Sequence, residues 1–519
     1  MIYSILGIIM WGLIVLYVIS IRPGSKLLKK EIGLQTDTAV KKRLPGTIVS
    51  CIVCLFTVLI CILPMSLSPV WNGEKPQHRN QYEVMARSLA EGHIYLDYDD
   101  IDPRLEEMEN PYSPAARIEA DVNYHSDHAY YKGKYYMYFG VVPAVVVFLP
   151  YYLITGRDLT TYHGTQLFAA LAIVGIFLLF HALARRFFPK LPRVILLSLC
   201  VALSWIPVYY STDYSALYST AIVSGVCFEV WSLYLFITAV YLTAKEKATR
   251  RVVLAVLGGL CGALAFGCRP TAAFGNLVLI PMLVKYIKDE TSGENKTKTG
   301  TLLGRIALVL TPYVIIGVIL MLYNYARFEN PFEFGQAYQL TSFDQTKFGS
   351  LANFSPVETF NGLILNYIGF TPITGHFPYV YFNSVFVNFP ILAFSFAAFN
   401  RRIRNSLKAS GFLGLVIAIP VTVLIINFLQ VQWGPGMANA ERYRTDFYFL
   451  LAILAFLVIG HWYNSSAEED RSRFSFITGL FCLEAVFMCM LLLMAPDDGN
   501  FTAVYPEMLE KLKHFVMIF

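Results

Sequence analysis

Long apolar runs recur along this chain, separated by short polar or charged stretches. They lie at 2–20, 47–67, 138–155, 163–184, 194–210, 217–243, 252–268, 271–287, 305–323, 381–399, 409–428, 447–463 and 474–494. Most have the length of about 17–25 residues needed to cross a bilayer. Backbone groups inside lipid must pair within their own segment, so the runs predict helices. The expected architecture is an all-α polytopic membrane protein, with residues 1–519 forming a single transmembrane domain.

Charge orders the runs. Lys and Arg mark cytoplasmic loops. Segment 21–46 holds Arg22, Lys26, Lys29, Lys30, Lys41, Lys42 and Arg43 against two acids. It is expected inside, which places the N-terminus outside and makes 2–20 an anchor helix rather than a removed signal peptide. Segment 69–137 then lies outside, with 13 acids and seven basic residues. The next basic cluster, Arg185 to Arg193, belongs inside again. Two runs lie between, and only an odd number of crossings connects the two sides. Run 138–155, broken by Pro143 and Pro150, is therefore expected to be a bent, interfacial or re-entrant segment, because proline removes a helix donor. Clusters at 245–251, 285–305 and 401–408 continue the alternation. The expectation is about twelve spanning helices, both termini extracytoplasmic, and exterior segments at 69–137, 324–380, 429–446 and 495–519.

Composition agrees. Charged residues make up 15% of the 519 and the apolar class 56%, against about 25% charged in soluble domains. This excludes a soluble enzyme, a disordered chain and a secreted disulfide scaffold. The formal charge of +5 says nothing about nucleic acid on such a chain, and no nucleic-acid partner is expected. All nine cysteines lie in or beside apolar runs, so Cys51 and Cys54, although spaced as CxxC, read as apolar packing. There is no GxxxxGK[ST], GxGxxG or HExxH motif. His125, Asp127 and His128 form only a weak metal pattern, and no cofactor or metal is expected.

Candidate chemistry gathers on the exterior side. Segment 69–137 contains an amphipathic stretch, Gln81 to Leu89, ended by Gly92. Further on, Ser126 to Gly140 brings Asp127, Lys132, Lys134 and five tyrosines to the water–lipid boundary. An aromatic belt with snorkelling lysines is the plain reading. Asp213, Arg269, Glu441, Arg442, Arg444 and Asp446 sit at exterior helix ends, while Glu229 and Glu484 fall within runs. Charge at membrane depth is costly and has a partner or a function. Arg269 and Arg442 lie on the side opposite to that favoured for basic residues. They suit a lipid phosphate, or else internal pairing such as Glu441 with Arg444 or Arg442 with Asp213.

The chain resembles the GT-C class of membrane glycosyltransferases, which use sugars on polyprenyl phosphate. Protein O-mannosyltransferases and the aminoarabinose transferase of lipid A belong to that class, and the likeness is to a bacterial branch of it. It rests on Tyr82-x-x-Met85-Ala86-x-Ser88-Leu89-x-x-Gly92, Asn110-Pro111-Tyr112, Asp127-x-Ala129-x-Tyr131-x-Gly133-Lys134-Tyr135-Tyr136-x-Tyr138-Phe139-Gly140-x-x-Pro143, Tyr323-Asn324-Tyr325-x-Arg327-Phe328-x-Asn330-Pro331-Phe332-Glu333-Phe334-Gly335, and Arg442-Tyr443. The resemblance implies a GT-C-like fold in the bacterial plasma membrane. It implies transfer of a sugar, with inversion, from a polyprenyl-phosphate donor to a cell-envelope glycan, lipid or protein. Many members carry an Asp-Glu pair just before the position of Tyr82. Here His78-Arg79-Asn80-Gln81 stands instead, so Asp127 or Glu83 is the expected base. Arg269, Arg442 and Lys134 are expected at the donor phosphate. Tyr82, Asp213, Tyr135, Tyr136, Tyr138 and Glu441 are expected in the cavity. A lipid-linked-glycan flippase and a catalytically inactive assembly protein are the rival readings.

Overall fold

The computed structural model describes residues 2–32, 40–63, 80–213, 217–292, 296–347, 355–370, 375, 377–380, 384–431, 441–495 and 506–517. Among them, ten helices are long and apolar enough to cross a bilayer. Those used below are α1 (Ile2–Ile21), α2 (Val40–Ile62), α3 (Gln81–Ala90), α4 (Thr161–Phe187), α5 (Leu217–Ile237), α6 (Ala248–Cys268), α7 (Thr299–Phe328), α8 (Leu413–Val431), α9 (Glu441–Ser465) and α10 (Glu468–Leu492). α3 is not one of the ten; it lies in the long polar segment between α2 and α4. The chain is a multi-pass membrane protein.

The helices sort by burial. α9 is buried along nearly its whole length, from Arg444 to His461. It forms the axis of the bundle, with Phe180 stacked on Phe456 at 4.0 Å. A side chain at Gly460 would strike the Phe188 ring, so glycine lets α4 close on α9. By contrast α1, α2 and α7 turn Ile9, Leu13, Leu16, Phe56, Val314 and Leu322 outward. Such continuous apolar surface suits lipid rather than water.

The polar segments separate onto two ends. Arg193 N–H donates to Lys30 C=O at 2.9 Å, Tyr463 Oη to Lys190 C=O at 3.0 Å and Tyr241 Oη to Gly411 C=O at 3.1 Å. Lys245 Nζ reaches Ser292 C=O at 3.1 Å. These contacts join the segments that charge placed inside. The other end is built from 80–143, the close of α7 with the residues after it, and the start of α9.

Several expectations change in detail. Glu441 to Asp446, expected in an exterior loop, form the first turns of α9. Their charges do not break the helix because they point to partners inside the protein. Exterior segment 324–380 contains the helix Pro356–Ile368. Two of the expected spans are short or interrupted: 194–210 becomes Arg193–Trp205 with a turn after it, and 381–399 becomes Val385–Asn388 plus a 3-10 helix, Pro390–Phe399. Run 138–155 holds a helix shorter than the ten, with a π-helical turn at Ala144–Phe148 leading into Leu149–Thr155. Pro150 offers no N–H, and the wide turn accommodates the gap.

The tyrosine-rich stretch, expected outside, is a small sheet rather than a plain aromatic belt. Strands β1 (His128–Tyr131) and β2 (Lys134–Tyr136) pair antiparallel, with Tyr130 opposite Tyr135. Lys132 and Gly133, both at positive φ, make the two-residue turn that such a hairpin requires. β3 (Gln339–Leu340) pairs with β1, placing Ala129 opposite Gln339, and so ties the segment after α3 to the segment after α7.

Candidate functional site

A cavity of about 780 Å³ opens at the sheet end, between β1, β3 and the ends of α5, α6, α7 and α9. Gly140 makes its close approach possible: a Cβ there would strike the carbonyls of Gly267 and Cys268 at the end of α6. Of the residues expected from sequence, Asp127, Tyr138, Arg269 and Arg442 line it. Arg327, Tyr218 and Gln339 join them.

Asp127 stands at the start of β1 with φ 60°, a left-handed conformation that aspartate tolerates better than most residues. Its backbone is pinned on both sides. Its N–H donates to Leu340 C=O at 2.8 Å, and its C=O accepts from Gln81 Nε2 at 2.9 Å. The Tyr218 hydroxyl donates to Oδ2, and Gln339 Nε2 donates to Oδ1 at 3.3 Å. No basic side chain lies within ion-pair distance of this carboxylate among the described residues. It is held by neutral donors, facing the cavity.

The three arginines differ in their partners. Arg269 follows the last residue of α6, and its Nε donates to Asp446 Oδ1 at 2.5 Å. Asp446 is fully buried and also accepts from Thr271 Oγ1 at 2.8 Å and Gln430 Nε2 at 3.0 Å. Arg442 lies against two rings, 5.1 Å from the centre of Tyr218 and 5.0 Å from that of Tyr443. Arg327 donates to Met137 C=O and Asn324 Oδ1, both at 2.7 Å, and sits 4.0 Å from the Tyr323 ring centre. Neither Arg442 nor Arg327 has a carboxylate within ion-pair distance among the described residues. Two guanidinium charges therefore face the cavity without an acid to balance them, which favours an anion. Tyr138 stands beside them, its phenol pushed up to about 12 by burial, so it offers a hydroxyl donor at neutral pH.

The other expected residues do other work. Glu83 Oε1 accepts from Thr161 N–H at 2.6 Å and from its hydroxyl at 3.2 Å. It caps the first turn of α4 and does not line the cavity, so its role as base is not supported by position. Glu441 is buried and accepts from Tyr209, from Tyr448 at 2.8 Å and from Arg444 at 2.9 Å. That is the internal pairing weighed from sequence, and it removes Glu441 from the cavity wall. Lys134 is exposed and sits 4.1 Å from the Tyr95 ring centre, away from the cavity. Tyr82 stacks on Phe148 at 5.3 Å, Tyr135 accepts from His125 N–H at 3.2 Å, and Tyr136 packs on Phe328 at 5.3 Å. All three are core residues of this end of the molecule: Tyr82 packs from α3 with Tyr135, while Tyr136, the next residue on β2, is buried on the opposite face of the sheet. The side chain of Asp213, and with it the pairing to Arg442, lies outside the described residues.

His125 and His128 do not converge on one point. His125 meets Asp100 at 2.9 Å and His128 meets Tyr98 at 2.9 Å. Glu91, His93 and Asp97, on the turn after α3, each bring a ligand atom within 4.8 Å of the others. That group could hold a metal ion, but it does not line the cavity.

Sequence reading missed three residues of the wall. Gln339 carried no signal, since its place depends on β3 joining β1. Tyr218 was one tyrosine among several near Asp213. Arg327 was visible only as part of a motif at the end of an apolar run.

No protein family, curated protein or solved structure matches the chain.

Proposed function

We propose that the chain is a GT-C-like, inverting glycosyltransferase of the bacterial plasma membrane. It would move a sugar from polyprenyl phosphate to a cell-envelope glycan, lipid or protein. The carrying observation is the pairing of opposite charges in one cavity. Asp127, with no basic partner among the described residues, and Arg442, with no acidic one among them, meet the same side chain, Tyr218.

The chemistry follows from that wall. An acceptor hydroxyl hydrogen-bonded to Asp127 gives up its proton to the carboxylate as its oxygen attacks the anomeric carbon. The bond from that carbon to the phosphate oxygen breaks, and polyprenyl phosphate leaves with the electron pair. Arg442 and Arg327, with Arg269 behind them, offset the charge that develops there. A single displacement inverts the sugar carbon. Glu83, Lys134, Tyr82, Tyr135 and Tyr136 support the exterior segment rather than the reaction.

In this reading 193–213 and 385–399 are two further crossings, giving twelve. The first connects the two ends of the bundle: Tyr209 meets Glu441, while Arg193 meets Lys30. The basic end faces the cytoplasm by its charge, and the cavity faces the outside. The interrupted helices at 270–278 and 385–399 favour a second reading, a carrier of lipid-linked glycan.

The test is reconstitution in proteoliposomes with a panel of polyprenyl-phosphate sugars, followed by mass spectrometry of released and transferred sugar. Turnover in the wild type, lost in Asp127→Asn but kept in Glu83→Gln, supports the reading. Tight lipid binding without turnover for any donor would overturn it, and movement of glycan between leaflets would establish the carrier.

A further inference from the structure

A second polar cluster lies one layer below the cavity, on residues that the proposed chemistry does not use. Glu229 sits midway along α5 and is fully buried. Its Oε1 accepts from Asn276 Nδ2 at 2.5 Å, and its Oε2 has no hydrogen-bond partner among the described residues. No basic side chain lies within ion-pair distance of it among those residues. A carboxylate in that setting is costly at membrane depth and marks a functional site by default.

The surroundings are rich in oxygen. Asn276 lies in the 3-10 turn Phe274–Val278, which interrupts the span Pro270–Thr291. Its Nδ2 is also 2.9 Å from Ala273 C=O and 3.1 Å from Gly262 C=O. Three oxygens thus surround a nitrogen that carries only two hydrogens. On the other side, Asn276 Oδ1 accepts from Tyr313 Oη at 2.6 Å. Two glycines permit the approach. A Cβ at position 262 would strike Asn276 Oδ1, and one at position 275 would stand 2.9 Å from Glu229 Oε2.

We propose that Glu229, Asn276 and the carbonyls of Gly262 and Ala273 form a binding site for a monovalent alkali cation, Na⁺. An all-oxygen donor set suits a hard cation. Carboxylate plus carbonyls at an unwound helix is the arrangement that holds Na⁺ inside membranes. The single negative charge selects a monovalent ion, since a divalent one would leave a buried positive charge. Turning the Asn276 amide over places Oδ1 where Nδ2 now stands, as a fourth ligand, and its Nδ2 then donates to Tyr313. The site also has a mechanical link to the cavity. Thr271 and Phe274, which line the cavity, and Asn276 belong to one interrupted segment.

The experiment uses the purified full chain in detergent. Thermal unfolding is followed in NaCl, KCl and choline chloride at constant ionic strength, at two pH values, together with equilibrium binding of ²²Na⁺. The expected result is saturable ²²Na⁺ binding and a Tm roughly 3 °C or more higher in NaCl than in choline chloride. Both should vanish in Glu229→Gln, whose Tm in choline chloride should match or exceed that of the wild type. If Glu229→Gln does not fold, the wild-type binding isotherm decides alone. Absent saturable binding with equal Tm in all three salts, or a Tm that follows pH but not Na⁺, would overturn the site. These readouts involve no sugar or lipid, so they stand or fall apart from the glycosyltransferase reading.

Discussion

Tyr218 donates its hydroxyl to the Asp127 carboxylate. Its ring face lies 5.1 Å from the Arg442 guanidinium. One side chain from α5 therefore sets the orientation of an acid beside the small sheet and supports a cation on α9. The hydroxyl and the ring have separable tasks, which substitution can divide.

Tyr218→Phe keeps the ring and removes the donor. Its kcat for sugar transfer should fall about tenfold or more as the Asp127 carboxylate loses its orientation, with donor affinity unchanged. Tyr218→Ala removes both, so donor Kd should rise as well. Lipid binding by microscale thermophoresis and single-turnover kinetics separate the two. Equal effects of both substitutions on kcat and Kd would refute the division.

Arg269 is tied to a fully buried acid, Asp446. Arg269→Ala leaves that carboxylate without its cation, a loss of about 3–5 kcal/mol for a buried pair. Adding Asp446→Asn should restore most of the stability, because the amide carries no charge, but not the donor affinity. Thermal unfolding and lipid-binding measurements on the single and double variants check this. Recovery of donor binding in the double variant would show that Arg269 acts only through the fold.

Much of the bundle was legible because lipid imposes a single rule, and ten of the thirteen apolar runs correspond to helices long enough to cross. The exceptions share a cause. In 194–210 and 381–399, apolar content is high, but Pro207 and Pro390 interrupt the helix, and composition does not register that. The cavity and the sheet beside it were less legible. Lys132-Gly133 between tyrosine pairs carries the signal of a two-residue hairpin, and reading it would have placed Tyr135 in the core. The pairing of β3 with β1 spans about two hundred residues of sequence and has no local signal, so Gln339 could not be found. Glu83 looked like a free acid because its partner, Thr161, is distant in sequence, whereas Arg444, three residues from Glu441, made that pairing readable.

Arg442 and Arg327 are the cavity cations without an acidic partner among the described residues. Arg442→Lys keeps the charge but loses the planar fork and its stacking on Tyr218 and Tyr443. Donor Kd should rise about tenfold for Arg442→Lys and further for Arg442→Ala, with little change in Tm. Arg327→Ala should weaken donor binding and also lower Tm, because Met137 C=O and the Asn324 side chain lose their donor. Unchanged Kd in Arg442→Ala would remove the phosphate from this part of the cavity.

Glu83 supplies a test in which pH, not substrate, is varied. Burial raises its pKa above the ordinary 4.5, against the lowering effect of its bonds from Thr161. The folded chain therefore holds this proton more readily than the unfolded one. Between 4.5 and the raised value, folding takes up a proton, so stability contributed by this group falls as pH rises through that window. Glu83→Gln cannot titrate, and its side-chain oxygen still accepts from the Thr161 N–H. Its Tm should depend less on pH across the window than that of the wild type, and sugar transfer at neutral pH should be little changed. Glu83→Ala should instead lose about 1 kcal/mol at low pH, the cost of leaving the Thr161 N–H without its acceptor, and less as pH rises through the window. A Glu83→Gln variant with intact Tm and no transfer would return this residue to the reaction and remove Asp127 as the sole base.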